Sequence, residues 1–377
     1  MCMSESVRAL SFRTRPSGYP PSADWSHQHD RIPRAETTMS ATRPVVVYGA
    51  TGHTGRFVVA ELLRRGFGVI PSGRSATSLA AQWPDLTTRA ATVDDPAALD
   101  AALAGAAAVI NTAGPFAETG GPVLEAALRA GIPYVDVAAE IEANTGMFAE
   151  YAGAAREAGV PVVPAMAFYG GLGDLLVTAA LGGREAADEV HVAYALSSWH
   201  PTAGTRASGR VSGERRGGRR LRFRDGVLQF HDNALVETGW DFPEPVGHRQ
   251  VLAEFTMADV VTVPSHVAVP DVRTYMTVNA AREVLSSSTP APEAVDEMGR
   301  SDQTFVIDVL IRAGGEELRA SATGQDIYAV TAPLAVEAVH RILAGQTRTT
   351  GLASAGAMFD APAFLTALGD HLKIQLP

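Results

Sequence analysis

The 377 residues contain one cysteine, Cys2, and one lysine, Lys373. The lone cysteine excludes an intrachain disulfide and a cysteine-based zinc site, and it fits a reducing compartment. The lone lysine excludes more. A phosphate-cradling Gly-Lys-Ser/Thr loop and a Schiff-base mechanism each need a lysine in a suitable setting, and His371-Leu372-Lys373-Ile374 supplies neither. The tyrosine–lysine pair of short-chain dehydrogenases is excluded too, because Gly369 stands four places before Lys373. No apolar run approaches the roughly 20 residues of a membrane-spanning helix, and the first residues lack the unbroken apolar centre of a secretory signal. The ten histidines are scattered without ligand-like spacing, so no metal site is expected.

Acidic residues outnumber basic ones, 41 to 31, and a net charge of −10 argues against nucleic acid or an anionic membrane as a general partner. A small-molecule substrate and a cytoplasmic location are the expectations that remain. With 46% hydrophobic and 19% charged residues the chain reads as globular, and its length suits two domains. Residues 1–43, rich in Arg, Pro, Ser and His without periodicity, predict a disordered tail that includes Met39 as a candidate start.

From residue 44 to 165 apolar runs of strand length alternate with Ala/Leu-rich helical stretches. Strands are predicted at 45–48, 68–72, 89–93, 107–111, 134–137 and 161–164, with helices near 55–65, 76–83, 96–104, 120–130 and 142–158. That alternation predicts an α/β class: a Rossmann-type, doubly wound parallel sheet. Pro71 is a blemish, since proline lacks a ladder donor, and it is expected to end the second strand early. Over residues 166–345 the pattern changes to a second, α+β domain built on a mainly antiparallel sheet. Strands are predicted at 189–199, 259–263 and 272–279, with hairpins turning on Asp225-Gly226 and Gly314-Gly315 and helices near 172–181 and 330–344. Residues 346–377, with a helix near 361–370, are expected to return to the first domain.

The strongest chemical signal is Val45-Val46-Val47-Tyr48-Gly49-Ala50-Thr51-Gly52-His53-Thr54-Gly55, where the first strand turns into the first helix. Glycines so spaced permit a tight turn, a close backbone approach to a pyrophosphate and close packing of helix on strand. Amides at the helix start then meet the phosphates. About 20 residues further on, where an NAD enzyme carries an acidic residue, the sequence reads Ser72-Gly73-Arg74-Ser75. A guanidinium flanked by hydroxyls suits the adenosine 2′-phosphate, which favours NADP(H) over NAD(H). The fourth strand runs into Asn111-Thr112-Ala113-Gly114-Pro115, small residues that admit the nicotinamide ribose. The fifth ends at Asp136 and Glu140, which read equally well as ligand-facing groups and as helix caps.

Taken together, GATGHTG, SGRS, NTAGPF with GGPVLEAALRAGIPYVDVAAE, and YGGLGD resemble the saccharopine dehydrogenase-like family of NAD(P)-binding reductases, over roughly residues 44–180. The resemblance implies NADP(H) contacts at Gly49, Thr51, Gly52, His53, Thr54, Gly55, Arg74, Ser75, Ala113 and Gly114. It also implies a mixed second domain that shapes the substrate cleft and a homodimer. Members include amino-acid-forming imine reductases and a branch like the trans-acting enoyl reductases. Met166-Ala167-Phe168-Tyr169 departs from the Pro-Gly turn that many members carry there.

Reduction of a C=N, C=O or C=C bond profits from a proton donor within reach. Tyr169, on a glycine turn after the sixth strand, is the first candidate, followed by His200, Arg206 and Tyr328. Residues 206–224 carry eight arginines; most are expected to coat an exposed hairpin, with Arg206 in the turn nearest the cleft. The reading is therefore an NADPH-dependent reductase of a metabolite-sized substrate. Its rivals are a non-enzymatic NADP(H) sensor or scaffold and a reductase that acts only on substrate held by a partner protein.

Overall fold

The computed structural model describes residues 43–377, so the predicted tail, Cys2 and Met39 lie outside the described residues. Its first sheet contains β1 (Val45–Tyr48), β2 (Val69–Gly73), β3 (Arg89–Ala90), β4 (Ala108–Asn111), β5 (Tyr134–Asp136) and β6 (Val162–Val163). All pairings are parallel, in the order β3-β2-β1-β4-β5-β6, so the crossovers reverse direction between β1 and β4. That reversal opens a crevice at the strands' carboxyl ends, as the predicted doubly wound sheet requires. Helices α1 (His53–Arg64), α2 (Ala76–Gln82), α3 (Pro96–Leu103), α4 (Phe116–Ala130), α5 (Ile141–Gly146) and α6 (Ala152–Ala158) make the connections. The side chains of Ser75 and Asp95 cap α2 and α3, and left-handed Gly131 and Gly159 close α4 and α6. Val45, Val46 and Val47 are wholly buried, which explains a first strand without polar alternation.

Pro71 does not end β2, which continues to Gly73. The carbonyls of Gly68 and Ser72 accept bonds from Val45, Gly49 and Ala50, so alternation turns position 71 toward β3. There β3 pairs only with Ser72 and Gly73, and the missing donor leaves no gap in the ladder. The helix expected over 142–158 is α5 and α6 joined by a wider, π-type turn over Met147–Tyr151.

The second sheet contains β7 (Glu189–Leu196), β8 (Arg220–Arg224), β9 (Val227–His231), β10 (Val236–Asp241), β11 (His248–Ala253), β12 (Val272–Thr277), β13 (Thr304–Ala313), β14 (Glu316–Gln325) and β15 (Lys373–Gln375). The main order is β10-β11-β12-β7-β13-β14-β15, with β8 and β9 attached at β12. Only β12 and β7 run parallel among these pairs, and both predicted hairpins are present. The remaining helices are α7 (Gly173–Leu181), α8 (Ala203–Arg215), α9 (Asp259–Thr262), α10 (Val278–Leu285), α11 (Thr331–Leu343), α12 (Ala355–Met358) and α13 (Ala361–Ala367).

Three sequence expectations need correction here. The arginine-rich stretch begins as helix α8, capped by the Thr202 hydroxyl on the Thr205 amide, and only residues from Arg220 onward form the hairpin. The strand expected at 259–263 is helix α9, whose four residues are all buried, so packing overrides the β-propensity of Val and Thr. The strand at 272–279 stops at Thr277, and α10 follows.

The two sheets share one continuous core. Helix α11 packs on α1 and β5, and its Leu334, Ala335, Ala338 and Val339 join Val58, Val59, Leu62 and Ile110. An ionic network seals the contact: Arg65 bridges Glu61 and Glu337 at 2.6 Å each, and Arg341 donates to Glu337 at 2.7 Å. Further on, the Val162 amide donates to the Gly351 carbonyl and the Ala353 amide to the Val162 carbonyl, beside the parallel sheet. The chain then ends as β15 on β14.

Candidate functional site

A cleft of about 1420 Å3 opens at the carboxyl ends of β1 and β4 and is lined from both halves of the chain. On one side lies the glycine turn. Gly49 has φ +89°, and a Cβ there would stand 2.7 Å from the Ala113 amide nitrogen. A Cβ on Gly55 would stand 2.2 Å from the Gly49 carbonyl oxygen, so Gly55 lets α1 start directly against the turn. No side chain among the described residues caps α1 at Gly52, and the first-turn amides are left for a ligand. Trp83 Nε1 donates to the Ala50 carbonyl and holds the turn from outside. These features fit a dinucleotide pyrophosphate, because the glycines let the turn, the β4 loop and the start of α1 close on one another and leave the first-turn amides uncapped.

Arg74 lies exposed at the end of β2, close enough that its charge acts against the burial that raises the Tyr48 hydroxyl's pKa. Gly49, Thr51, Gly52, His53, Thr54, Arg74, Ala113, Gly114 and Pro115 all line the cleft. Gly55, Ser75 and Asn111 stand behind its wall. Ser75 is the cap of α2, and Asn111 is fully buried. Asn111 Oδ1 accepts from the Ala113 amide at 3.0 Å while Nδ2 donates to the Tyr134 hydroxyl at 3.2 Å, so Asn111 shapes the loop from below. The Tyr134 hydroxyl in turn donates to Asp136, which also accepts from the Ala138 and Ala165 amides. Burial pushes the Asp136 pKa up to about 6 against those bonds. Both expected acidic residues are thus engaged by protein. Glu140 accepts from the Phe116 and Ala117 amides and caps the start of α4.

The opposite wall is aromatic. Tyr169 packs against Phe168, Tyr194 and Trp199, with ring centroids 4.7, 5.1 and 5.2 Å away. Tyr169 lines the cleft, and its hydroxyl is buried with no hydrogen-bond partner among the described residues. Burial holds its pKa well above the ordinary phenol value. Gly170 makes the turn that sets this ring, at φ +95°. The Tyr328 hydroxyl meets Thr205 Oγ1 at 3.0 Å and donates to the His200 carbonyl at 3.3 Å, and the ring stands edge-on to His53 at 5.2 Å. Burial lowers the His53 pKa, with Asp326 opposing and Arg56 assisting.

Two catalytic candidates sit otherwise than the sequence led us to expect. His200 does not line the cleft; its recorded contact with Tyr328 is through its carbonyl. Arg206 lies on α8, not in a hairpin turn, and its guanidinium donates to the Ser286 and Thr289 carbonyls at 3.1 and 2.5 Å. Helix α8 leans over the cleft: a Cβ on Gly114 would stand 2.6 Å from Ser208 Oγ, and Glu142 takes Ser212 and Arg216 at 2.6 and 2.7 Å.

Sequence reasoning missed Trp199, Phe255 and Met257, which line the cleft, and the polar pair behind Tyr169. In that pair the Tyr194 hydroxyl donates to Asp259, whose pKa burial pushes up to about 7. Nearby, Asp174 accepts from the Gly356 amide and meets His266 Nε2 at 2.7 Å; burial acts to lower the His266 pKa, but Asp174 raises it overall. Among the described residues no helix is long and apolar enough to cross a membrane.

Comparison with known proteins agrees with this geometry. Residues 45–163 match the family model of the saccharopine dehydrogenase NADP binding domain. A trans-acting enoyl reductase of Mycobacterium tuberculosis is 30% identical over 136 residues, covering 33% of this chain and 32% of that protein. A saccharopine dehydrogenase-like oxidoreductase of Arabidopsis thaliana is 32% identical over 144 residues, covering 33% of this chain and 31% of that protein. The match therefore spans about a third of these relatives' length. Saccharopine dehydrogenase (L-Glu forming) of Saccharomyces cerevisiae superposes with a TM-score of 0.60 at 13% identity, over 89% of this chain and 100% of that one, which shows a shared fold. The family-model match thus covers the residues that form the parallel sheet and its glycine turn.

Proposed function

We propose that the chain is an NADPH-dependent reductase that acts on a C=N, C=O or C=C bond of a metabolite-sized substrate. The observation that carries this reading is that the glycine turn and Tyr169, whose buried hydroxyl has no partner among the described residues, line one cleft. NADPH, when bound, supplies the hydride. The amides at the start of α1 hold the pyrophosphate, Arg74 pairs with the 2′-phosphate, and the Ala113-Gly114-Pro115 backbone admits the nicotinamide ribose. Gly55, Ser75 and Asn111 act one layer back, fixing the turn, α2 and the β4 loop. Tyr169 keeps its proton and presents it to the reacting group; Tyr328 positions residues 199–205 beside it. Arg206 braces α8, and His200 lends its carbonyl to Tyr328.

In this proposal residues 44–165 bind cofactor and 166–345 shape the substrate side, while 346–377 touch β6 at Gly351 and Ala353 and then join the second sheet as β15. The family resemblance supports a homodimer through the second sheet, and the scarcity of cysteine supports a cytoplasmic location. A second reading, a reductase of substrate carried by a partner protein, draws on the name of the mycobacterial relative and on Leu285, which is 72% exposed at the cleft mouth. The test is calorimetric titration with NADPH and NADH, then a screen for NADPH oxidation by free and carrier-bound substrates. Tight, selective NADPH binding with turnover supports the proposal. Binding without turnover on either substrate form leaves the sensor reading, and no binding of either nucleotide overturns all three.

A further inference from the structure

Four arginines line the cleft, and their partners decide what kind of substrate it takes. Arg206 is engaged by two backbone carbonyls, Arg216 by Glu142, and Arg210 by Glu214 in an exposed pair. Arg74 stands at the end of β2, on the cofactor side. An amino or keto acid needs a fixed cation for its carboxylate, commonly a forked guanidinium. On the substrate side Arg206 and Arg216 are held by partly buried acceptors, and Arg210 is largely exposed to solvent. What this side also has is apolar surface: Tyr169, Trp199, Phe255, Met257, Val284 and Leu285. The Tyr169 and Trp199 rings lie 5.2 Å apart and 33° from parallel, and Phe255 stands 6.3 Å from Trp199. Among the residues of this surface, Tyr169 carries a buried hydroxyl with no hydrogen-bond partner among the described residues.

We infer that the substrate is an uncharged, flat carbonyl compound, aryl or conjugated, held against Trp199 and Tyr169 with its oxygen accepting from the Tyr169 hydroxyl. This rests on the reductase reading above. The carbonyl carbon gains the hydride of NADPH and its oxygen gains the Tyr169 proton, giving an alcohol and NADP+; solvent then reprotonates the phenolate. Aromatic surface recognises such a compound by stacking and by displacing water. Arg206 and Arg216 select against acids, because binding one would break their existing contacts.

The test titrates the full chain, saturated with NADP+ so that no turnover occurs, with 2-acetonaphthone and with 2-oxoglutarate, followed by calorimetry and tryptophan fluorescence. The ketone is expected to bind at least about tenfold more tightly than the acid, in line with aromatic pairing in a desolvated site, and to quench fluorescence. Trp199→Phe should keep the ketone affinity within about threefold, since a ring remains, while removing most of the quenching. Equal or tighter binding of 2-oxoglutarate, absence of ketone binding, or unchanged quenching in Trp199→Phe overturns the inference. A parallel NADPH titration separates the two failures: loss of ketone binding with NADPH binding intact sinks the substrate class alone, and no NADPH binding sinks the reductase reading.

Discussion

The Tyr194 hydroxyl donates a 2.6 Å hydrogen bond to Asp259 Oδ2, and both side chains are completely buried. The bond favours the ionised carboxylate, yet burial outweighs it and lifts the Asp259 pKa from 3.8 to about 7. Asp136 behaves alike, at about 6. A carboxyl with a raised folded-state pKa binds more protons folded than unfolded, so its contribution to stability declines as pH rises from about 4 to about 7. Thermal melts across that window should show Asp259→Asn with a flatter slope than the parent chain. Parallel slopes would show that Asp259 ionises freely in the fold.

Tyr169 offers a sharper separation of structure from chemistry. Its hydroxyl is buried and unpartnered among the described residues, so Tyr169→Phe should leave stability unchanged or raise it by about 1 kcal/mol. Turnover should fall by roughly 100-fold if the phenol is the proton donor. Melting temperature and kcat on the same preparation check both halves; a destabilised variant with full turnover would assign Tyr169 to packing.

Arg74→Glu replaces the 2′-phosphate partner with a like charge. Loss of charge-assisted bonds predicts about 10- to 100-fold weaker NADPH binding, with NADH affinity within about threefold because its ribose lacks that phosphate. Equal wild-type affinities for the two nucleotides would remove Arg74 from the site.

Gly55→Ala would drive a Cβ to 2.2 Å from the Gly49 carbonyl oxygen, a backbone atom that cannot move without the turn. A lower melting temperature and NADPH binding weakened by at least about tenfold are expected. Gly153→Ala serves as the control: its Cβ would meet nothing within 4 Å inside α6, so it should be neutral or stabilising by about 0.5–1 kcal/mol.

Glu337→Ala would leave Arg65 and Arg341 short of a buried partner. Breaking such a network costs on the order of 3 kcal/mol, which for a chain of this size is a fall of roughly 4 °C in Tm. A shift under about 2 °C would mean that solvent already screens the cluster.

The cofactor half was legible because its signals are local. A valine run buried on both faces, glycines forced by close approaches to Ala113 and Gly49, and an arginine at the end of β2 all sit within one stretch of chain. The second half was less legible because its elements depend on distant partners. Helix α8 contains Gly204, Gly209 and Gly213, which disfavour helix locally, and it is held by Thr202 and by Glu142 on α5. Strands β10 and β11 are largely exposed and carry no clear alternation. The aromatic wall draws Tyr169, Trp199 and Phe255 from separate segments, and no spacing in the chain announces that they meet.

Helix α11 covers one face of the parallel sheet from the far end of the chain. During synthesis the strands β1 to β6 leave the ribosome early with α1 and α2 over this face, yet the part of it under α11 has no cover until Leu343 has been made. A nascent chain therefore carries its nucleotide-binding half in an unfinished state for most of translation, when exposed apolar surface invites misassembly. The segment that matches the family model ends at residue 163, well before α11 begins. Closure of that half therefore waits on a helix encoded far downstream of its last strand.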